Sequence, residues 1–396
     1  SLYNVLLNTE KMMYGIDNSI CISRLLQERA KNCCNDFYNK NTGLYFDVIN
    51  FNDWQCSLIP GYLKMDAYED ESLRNIKTVL TIHNIEYQGK TGLGDKDDIL
   101  GIAGTCVDYG QYEHDGCVNL LKGAIVLADA VTTVSPTYAQ ELLTSAYGQG
   151  LEGVLEHFEY KMYGVLNGID IDRYNPAKDE FLTTKFDAES LEQRAENKAA
   201  LQEALGLEVN PDIPVIGMVS RMVSHKGLDL VVEVFEGLMD MGVQVAILGQ
   251  GDKQYENFYR EWQNRRPNQV GLTIGYSDKL AMAIYGGADL FLMPSKTEPC
   301  GLSQMIAMRY GCVPIVREVG GLADTVTAYQ PGTEIGNGFS FGSYSAHDMY
   351  HVISEAVALY KDAKDEYEIL VKRDMAGDFS WNKSAEDYLR IYESLD

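Results

Sequence analysis

Short apolar runs rich in β-branched residues recur along almost the whole chain, each apolar at successive positions rather than at alternate ones. "YFDVINFND", "IKTVLTIHN" and "DAVTTVSP" occupy the first half; "PVIGMVSR", "VQVAILGQG", "VGLTIGY", "DLFLMPS" and "VPIVREVGG" occupy the second. A strand that is apolar on both faces must be covered on both, which is the condition of a parallel strand flanked by helices. Helical patterns separate the runs at the spacing of βαβ units. The constraint leads to α/β architecture. At 396 residues the chain exceeds one ordinary core, so two doubly wound domains are predicted.

The break between them is expected within "GVLNGIDIDRYNPAKDE", residues 164 to 180, where turn residues concentrate. The division predicted is 1–165, 166–375 and a terminal segment 376–396. "ENKAALQEALGL" reads as a helix leading into the second half. The terminal "FSWNKSAEDYLRIYESLD" reads as an amphipathic helix with Ala385, Tyr388, Leu389 and Tyr392 as its packing stripe.

Charge excludes some partners. A net charge of −25 disfavours nucleic acid and anionic membrane, and no apolar run approaches the roughly 20 residues of a membrane helix. No signal peptide is visible at the start. The eight cysteines form no CxxC pair and suggest reduced thiols in a cytoplasmic protein rather than zinc or disulfides.

In open parallel sheets ligands bind beyond the carboxyl ends of the strands. The residues there are Asp53, His83, Asn84, Arg221, Gly249 to Asp252, Tyr276, Glu298 to Ser303, and Gly320 with Gly321. Glycines, two cations, a few acids and a histidine suit a phosphorylated ligand with a hydroxyl-rich body. Arg221 and Lys226, in "SRMVSHKG", could hold a diphosphate by charge-assisted hydrogen bonds or could simply pair on the surface. "EPCGLS" and "GGLADT" read as helix starts. Gly301 or Ser303 could serve the first of these as turn glycine or cap, but Glu298 is not needed for that. His83 could reach a substrate hydroxyl, but a lone histidine at a strand end is more often a structural hydrogen-bonder. "GQGD" would need glycine at 254 to continue a dinucleotide fingerprint and has Gln254, which disfavours a nicotinamide oxidoreductase. Asp170 and Asp172 spell D-x-D but sit among turn formers, and "SPTY" gives Ser135 as N-cap before Pro136.

Taken in order, "TIHNIEYQG", "VSPTYAQEL", "YGQGLEGVL", "VLNGIDIDRYNP", "SRMVSHKGLDL", "IGYSDKL", "GGADLFLMPSKTEPCGLSQMIAMRYG", "VGGLADTV" and "DFSW" resemble bacterial glycogen synthases and plant starch synthases, from about residue 45 onward. The resemblance implies the GT-B fold, two Rossmann-like domains facing a cleft with a C-terminal helix crossing back to the first. It implies retaining transfer of glucose from ADP-glucose, with UDP-glucose as the other possible donor, to the non-reducing end of an α-1,4-glucan, without metal or cofactor. Glu298 would meet the hydroxyls of the donor glucose, with Cys300, Gly301, Leu302 and Ser303 following, and Gly320 and Gly321 close by. Arg221 and Lys226 would stabilise the departing ADP. His83 would contact the glucose and Asn167 would lie near it; Tyr276 would lie near the base, and Asp53, Asn84 and Gly249 would complete the binding set. The second glutamate of the wider superfamily is Ile306 here, as in the synthase branch.

Departures fall in the first domain. The family's opening strand and Lys-x-Gly-Gly-Leu-Gly-Asp loop are expected to be missing; "KTGLGD", Lys90 to Asp95, lacks a glycine and follows another strand. His-Asp-Trp-His is Asn52-Asp53-Trp54-Gln55, and Tyr-x-Asp-Asn is echoed by Tyr14 and Gly15 in "YGIDN". The alternative to an active synthase is therefore a non-catalytic nucleotide-sugar or glucan-binding relative, or an inactive fragment, that keeps the donor pocket.

Overall fold

A computed structural model describes residues 47–67, 73–95, 100–101 and 110–395. Tyr14, Gly15, Cys21, Cys33, Cys34 and Cys106 lie outside the described residues. The chain divides into two compact units: the described residues up to Val165 together with those from Glu386, and Leu166–Ala385.

In the first unit, β1 (Val48–Asn52), β2 (Lys77–Ile82), β3 (Ala130–Thr133) and β4 (Met162–Gly164) form one parallel sheet in that order. Every residue of β3 and all but the first of β2 are buried, as the two-sided apolar runs demand. Helix Pro136–Glu141 starts as its sequence implies, with the Ser135 hydroxyl accepting from the Tyr138 N–H at 2.8 Å and Pro136 in the first turn. Helix Leu120–Leu127 is closed by Lys161, whose Nζ donates to the carbonyls of Val126 (3.1 Å) and Ala128 (2.5 Å). Burial lowers that ammonium to about 8. A small antiparallel sheet of Lys90–Thr91, Glu113–His114 and Cys117–Asn119 carries no period-two signal, because its strands are too short to show one.

The terminal helix, Trp381–Glu393, packs differently from the sequence expectation. Leu389 is 58% exposed and Ala385 is exposed, whereas Tyr388, Ile391, Tyr392 and Leu395 pack on Val48, Val79, Ala130, Tyr163 and Val165. A stripe at i, i+3, i+4 and i+7 counted from Tyr388 selects Ile391 rather than Leu389. Asn50 Nδ2 donates to the Tyr392 hydroxyl at 2.9 Å within the same unit.

The strands of the second unit are β5 (Val215–Val219), β6 (Gln244–Gly249), β7 (Val270–Ile274), β8 (Leu290–Met293), β9 (Val313–Arg317) and β10 (Phe339–Phe341). All six are parallel and run in the order β7-β6-β5-β8-β9-β10. Counted along the unit this is 3-2-1-4-5-6, the doubly wound dinucleotide-type order, whose reversal falls between β5 and β8. β10 is a short edge strand that no apolar run announced. At the amino end of β8, Asp289 accepts from the Val215 N–H and from Lys198 Nζ, both at 2.8 Å, with Arg194 at 3.7 Å.

Asp374, on helix Lys364–Met375, is 1% exposed and neither carboxylate oxygen has a hydrogen-bond partner among the described residues. Burial holds its carboxyl well above the usual range. The folded state thus binds a proton that the unfolded chain releases near pH 4, so stability falls as pH rises from there through the folded pKa. Asp374→Asn is expected to remove that slope, leaving the variant more stable than the parent at pH 8 and nearly equal to it near pH 4. Urea melts at the two pH values check this; a variant less stable than the parent at pH 8 would refute it.

Candidate active site

The carboxyl ends of β5 and β8 are neighbours at the reversal of strand order, where such sheets bind ligands. A pocket of about 200 Å³ opens there, with Ser220, Arg221, Lys226, Ser295, Glu298 and Ser303 among its lining. Lys226 ends the single turn Ser224–Lys226, and Gly227 follows at φ 70°. A Cβ on Gly227 would overlap the Pro294 carbonyl oxygen, so only glycine lets this turn lie on the turn after β8. The Lys296 N–H donates to the His225 carbonyl at 2.8 Å and holds the two turns together. Lys226 Nζ then stands 2.6 Å from Glu298 Oε2, which also accepts from the Ser295 hydroxyl at 2.9 Å. Glu298 is 8% exposed. The acid that a plain turn did not need is therefore a buried partner of one of the two predicted cations.

The glycine pair of "GGLADT" serves the same turn. The Gly321 N–H donates to the carbonyls of Glu298 and Pro299, both at 3.1 Å. Side chains at Gly320 and Gly321 would overlap the carbonyl oxygens of Glu298 and Cys300 respectively. Cys300 is buried, and burial pushes its thiol up to about 11; Asn167 reaches its sulfur through backbone and side chain. Gly301 takes φ 69°, but the cap expectation needs correction. Leu302 occupies the N-cap of helix Ser303–Arg309 and no side chain caps it. Gly249 and Gly251 admit close backbone approach to Ser220 and Met222, the segment that carries Arg221. The Tyr276 side chain is 77% exposed, with its hydroxyl donating to Asp278, and is not among the pocket's lining.

Three predicted residues meet in the first unit. Asp53, just after β1, sits at φ 55°, ψ −176°, a region essentially reserved for glycine and costing on the order of 1–3 kcal/mol. Its N–H donates to the Thr81 carbonyl at 2.9 Å, and its carboxylate accepts the His83 N–H at 2.8 Å. Burial raises the Asp53 carboxyl, against the charge of His83 and the backbone N–H groups of His83 and Asn84. His83 Nε2 lies 2.9 Å from Asn52 Oδ1. Asn52 Oδ1 can only accept, so the Nε2–H of His83 is the donor in that contact. Asn52 is thus a functional candidate that sequence reasoning quoted only as a departure.

Asp170 is a turn former: its carboxylate accepts from the N–H groups of Asp172 (3.1 Å) and Arg173 (3.0 Å). Among the described residues no group of three or more His, Cys, Asp and Glu could hold a metal ion, and Cys56, Cys117, Cys300 and Cys312 are free thiols. Among them, too, no helix is long and apolar enough to cross a membrane.

A family profile described as "Starch synthase catalytic domain" matches residues 10–157, starting before the motifs that carry the resemblance, and "Glycosyl transferases group 1" matches 205–369. The glycogen synthase of Clostridium novyi is 45% identical over 349 residues, 88% of this chain and 73% of that protein. That of Thermotoga petrophila is 45% identical over 359 residues, 89% of this chain and 73% of its own length. The solved catalytic domain of starch synthase IV from Arabidopsis thaliana, bound to ADP and acarbose, superposes with a TM-score of 0.84 at 34% identity. The match covers 96% of this chain and 78% of that one. Sucrose-phosphate synthase from Thermosynechococcus elongatus shares the fold alone, with a TM-score of 0.54 at 17% identity over 91% of this chain and 76% of that one. Two parallel-sheet units with a cation-bearing pocket at a strand-order reversal are those of a GT-B-type glycosyltransferase. Within that class, the chain belongs to the glycogen and starch synthase family.

Proposed function

We propose that the chain transfers glucose from ADP-glucose to the non-reducing end of an α-1,4-glucan, with retention at the anomeric carbon. The observation that carries this reading is the Lys226–Glu298 pair, 2.6 Å apart beside Arg221 at the reversal of the second unit's sheet. In a chain of net charge −25, two cations at one strand end form a local site for a diphosphate. The second unit is accordingly the donor side and the first the acceptor side. The pocket is smaller than the roughly 300–1,000 Å³ of typical small-molecule sites, so it takes one part of the donor, the glucosyl diphosphate.

Bond breaking between the anomeric carbon and the phosphate oxygen leaves negative charge on ADP. Lys226 and Arg221 oppose that charge where it develops. Glu298 accepts from a glucose hydroxyl, and the peptide backbone after Cys300 meets the sugar or phosphates. Asn167, beside Cys300, contributes near the sugar, and exposed Tyr276 near the base. His83 is proposed to contact the glucose, with Asp53 and Asn84 supporting it from the same unit. A cytoplasmic location belongs to the same proposal, in keeping with four free thiols among the described cysteines; cell fractionation checks it.

The test is to incubate the chain with ADP-glucose, or UDP-glucose, and a glucan primer while following nucleotide release and glucose incorporation together. Incorporation coupled one to one with ADP release, faster than with UDP-glucose, is expected. Glu298→Gln should lose about 10²-fold or more in kcat while still binding ADP. ADP binding with no incorporation by the parent chain would count against the proposal and favour a non-catalytic relative.

A further inference from the structure

The turn that presents Glu298 is held from behind by a residue absent from the pocket's lining. Arg317 closes β9, next to β8 in the sheet. Its Nη1 donates to the carbonyls of Lys296 at 2.8 Å and Ser295 at 3.2 Å, two successive peptides of that turn. On the other side, the Lys296 N–H is taken by the His225 carbonyl. The peptide segment between Pro294 and Glu298 is thus pinned on one face by Arg317 and on the other by the turn that carries Lys226. Ser295, whose carbonyl Arg317 grips, is also the residue whose hydroxyl donates to Glu298 Oε2.

Arg317 has its own platform. Its guanidinium lies over the Tyr344 ring, 5.4 Å from the centroid, and Lys296 Nζ lies 5.8 Å from the same centroid. The Tyr344 hydroxyl donates to Asp229 Oδ1 at 2.6 Å, on helix Leu228–Asp240, which starts directly after Gly227. The ring therefore ties the guanidinium to the helix that follows Lys226. A planar, always-charged fork suits this place: it can stack on the ring while its N–H groups reach two carbonyls, which a lysine ammonium does poorly.

We infer that Arg317, backed by Tyr344, is a positioning residue for glucosyl transfer, setting the angle at which Glu298 meets the donor sugar. It acts through the backbone of residues 295 and 296 and touches no substrate. The inference rests on the reading of Glu298 as a sugar contact. A displacement of the order of 1 Å at a reacting centre costs about 10²-fold in rate, whereas diphosphate affinity depends on Lys226 and Arg221.

Arg317→Gln, Arg317→Lys, Tyr344→Phe and Glu298→Gln are to be compared by kcat, KM for ADP-glucose, Kd for ADP and Tm. Arg317→Gln is expected to lower kcat by about 10²-fold with Kd for ADP changed by less than about threefold. Arg317→Lys should restore part of kcat, and Tyr344→Phe should lose about threefold. Should Arg317→Gln fail to fold, the Arg317→Lys split between kcat and Kd decides alone. Parallel losses of kcat, ADP affinity and Tm would reduce Arg317 to a structural role and overturn the inference. Wild-type kcat in the Arg317 variants, with Glu298→Gln inactive, would overturn it while leaving the proposed function intact. Full turnover by Glu298→Gln would remove the sugar-contact reading and this inference with it.

Discussion

Lys226→Ala is expected to lower kcat by about 10²–10³-fold, the loss of about 2.7–4 kcal/mol that follows removal of one donor aimed at developing charge. A second effect travels with it. The Glu298 side chain is 10% exposed and Lys226 is the cation paired with it at 2.6 Å, so the substitution leaves a buried carboxylate with the Ser295 hydroxyl in place of an ion pair. Breaking a buried pair from one side costs about 3–5 kcal/mol. Activity and stability should therefore fall together, and a single variant could not tell them apart. The double variant Lys226→Ala/Glu298→Gln separates them, because its remaining partner is neutral. It is expected to regain most of the stability in chemical denaturation and none of the kcat. Lys226→Ala with kcat within a few-fold of the parent would end the phosphate role assigned to this lysine.

Gly227→Ala is expected to do comparable damage by a different route. The position holds φ 70°, and a Cβ there would overlap the Pro294 carbonyl oxygen. The left-handed conformation costs an alanine about 1–2 kcal/mol. Overpacking adds about 1–3 kcal/mol, more when the obstacle is backbone. A fall in Tm on the order of 10 °C follows for a unit of this size. Because the clash lies between the two turns that bring Lys226 to Glu298, kcat should drop even at temperatures where the variant is folded. Gly206→Ala is the control: it holds φ 69° with nothing within 4 Å of the added carbon, so it bears the conformational cost alone. Equal losses in the two variants would show that crowding against Pro294 is unimportant.

The main strands were legible because burial on both faces writes itself into the chain as predominantly apolar runs such as Val79–Ile82, interrupted only by Thr81, and Val245–Leu248. Candidate residues were legible by position, since strand ends are where parallel sheets place ligands. Pairings were not. Lys226 and Glu298 are 72 positions apart, and nothing local records that they meet. The same holds for Arg317, which looked like the tail of an apolar strand and proved to brace a turn 21 and 22 positions away. Two- and three-residue strands such as Glu113–His114 and Phe339–Phe341 are too short for any period to declare itself. In the terminal helix, Leu389 fits one helically spaced apolar stripe, whereas the sheet takes the stripe that includes Ile391 two positions on.

Asp53 has an implication for anyone who would make this enzyme hardier. Its backbone sits where glycine is at ease and other residues are not, so selection for heat resistance alone would favour glycine there. The gain would come at the expense of the carboxylate that greets the His83 amide. Directed evolution scored on survival and directed evolution scored on turnover should therefore part company at this codon. On the role proposed for Asp53 beside His83, the conformation of a single peptide is where robustness and turnover would be traded against each other.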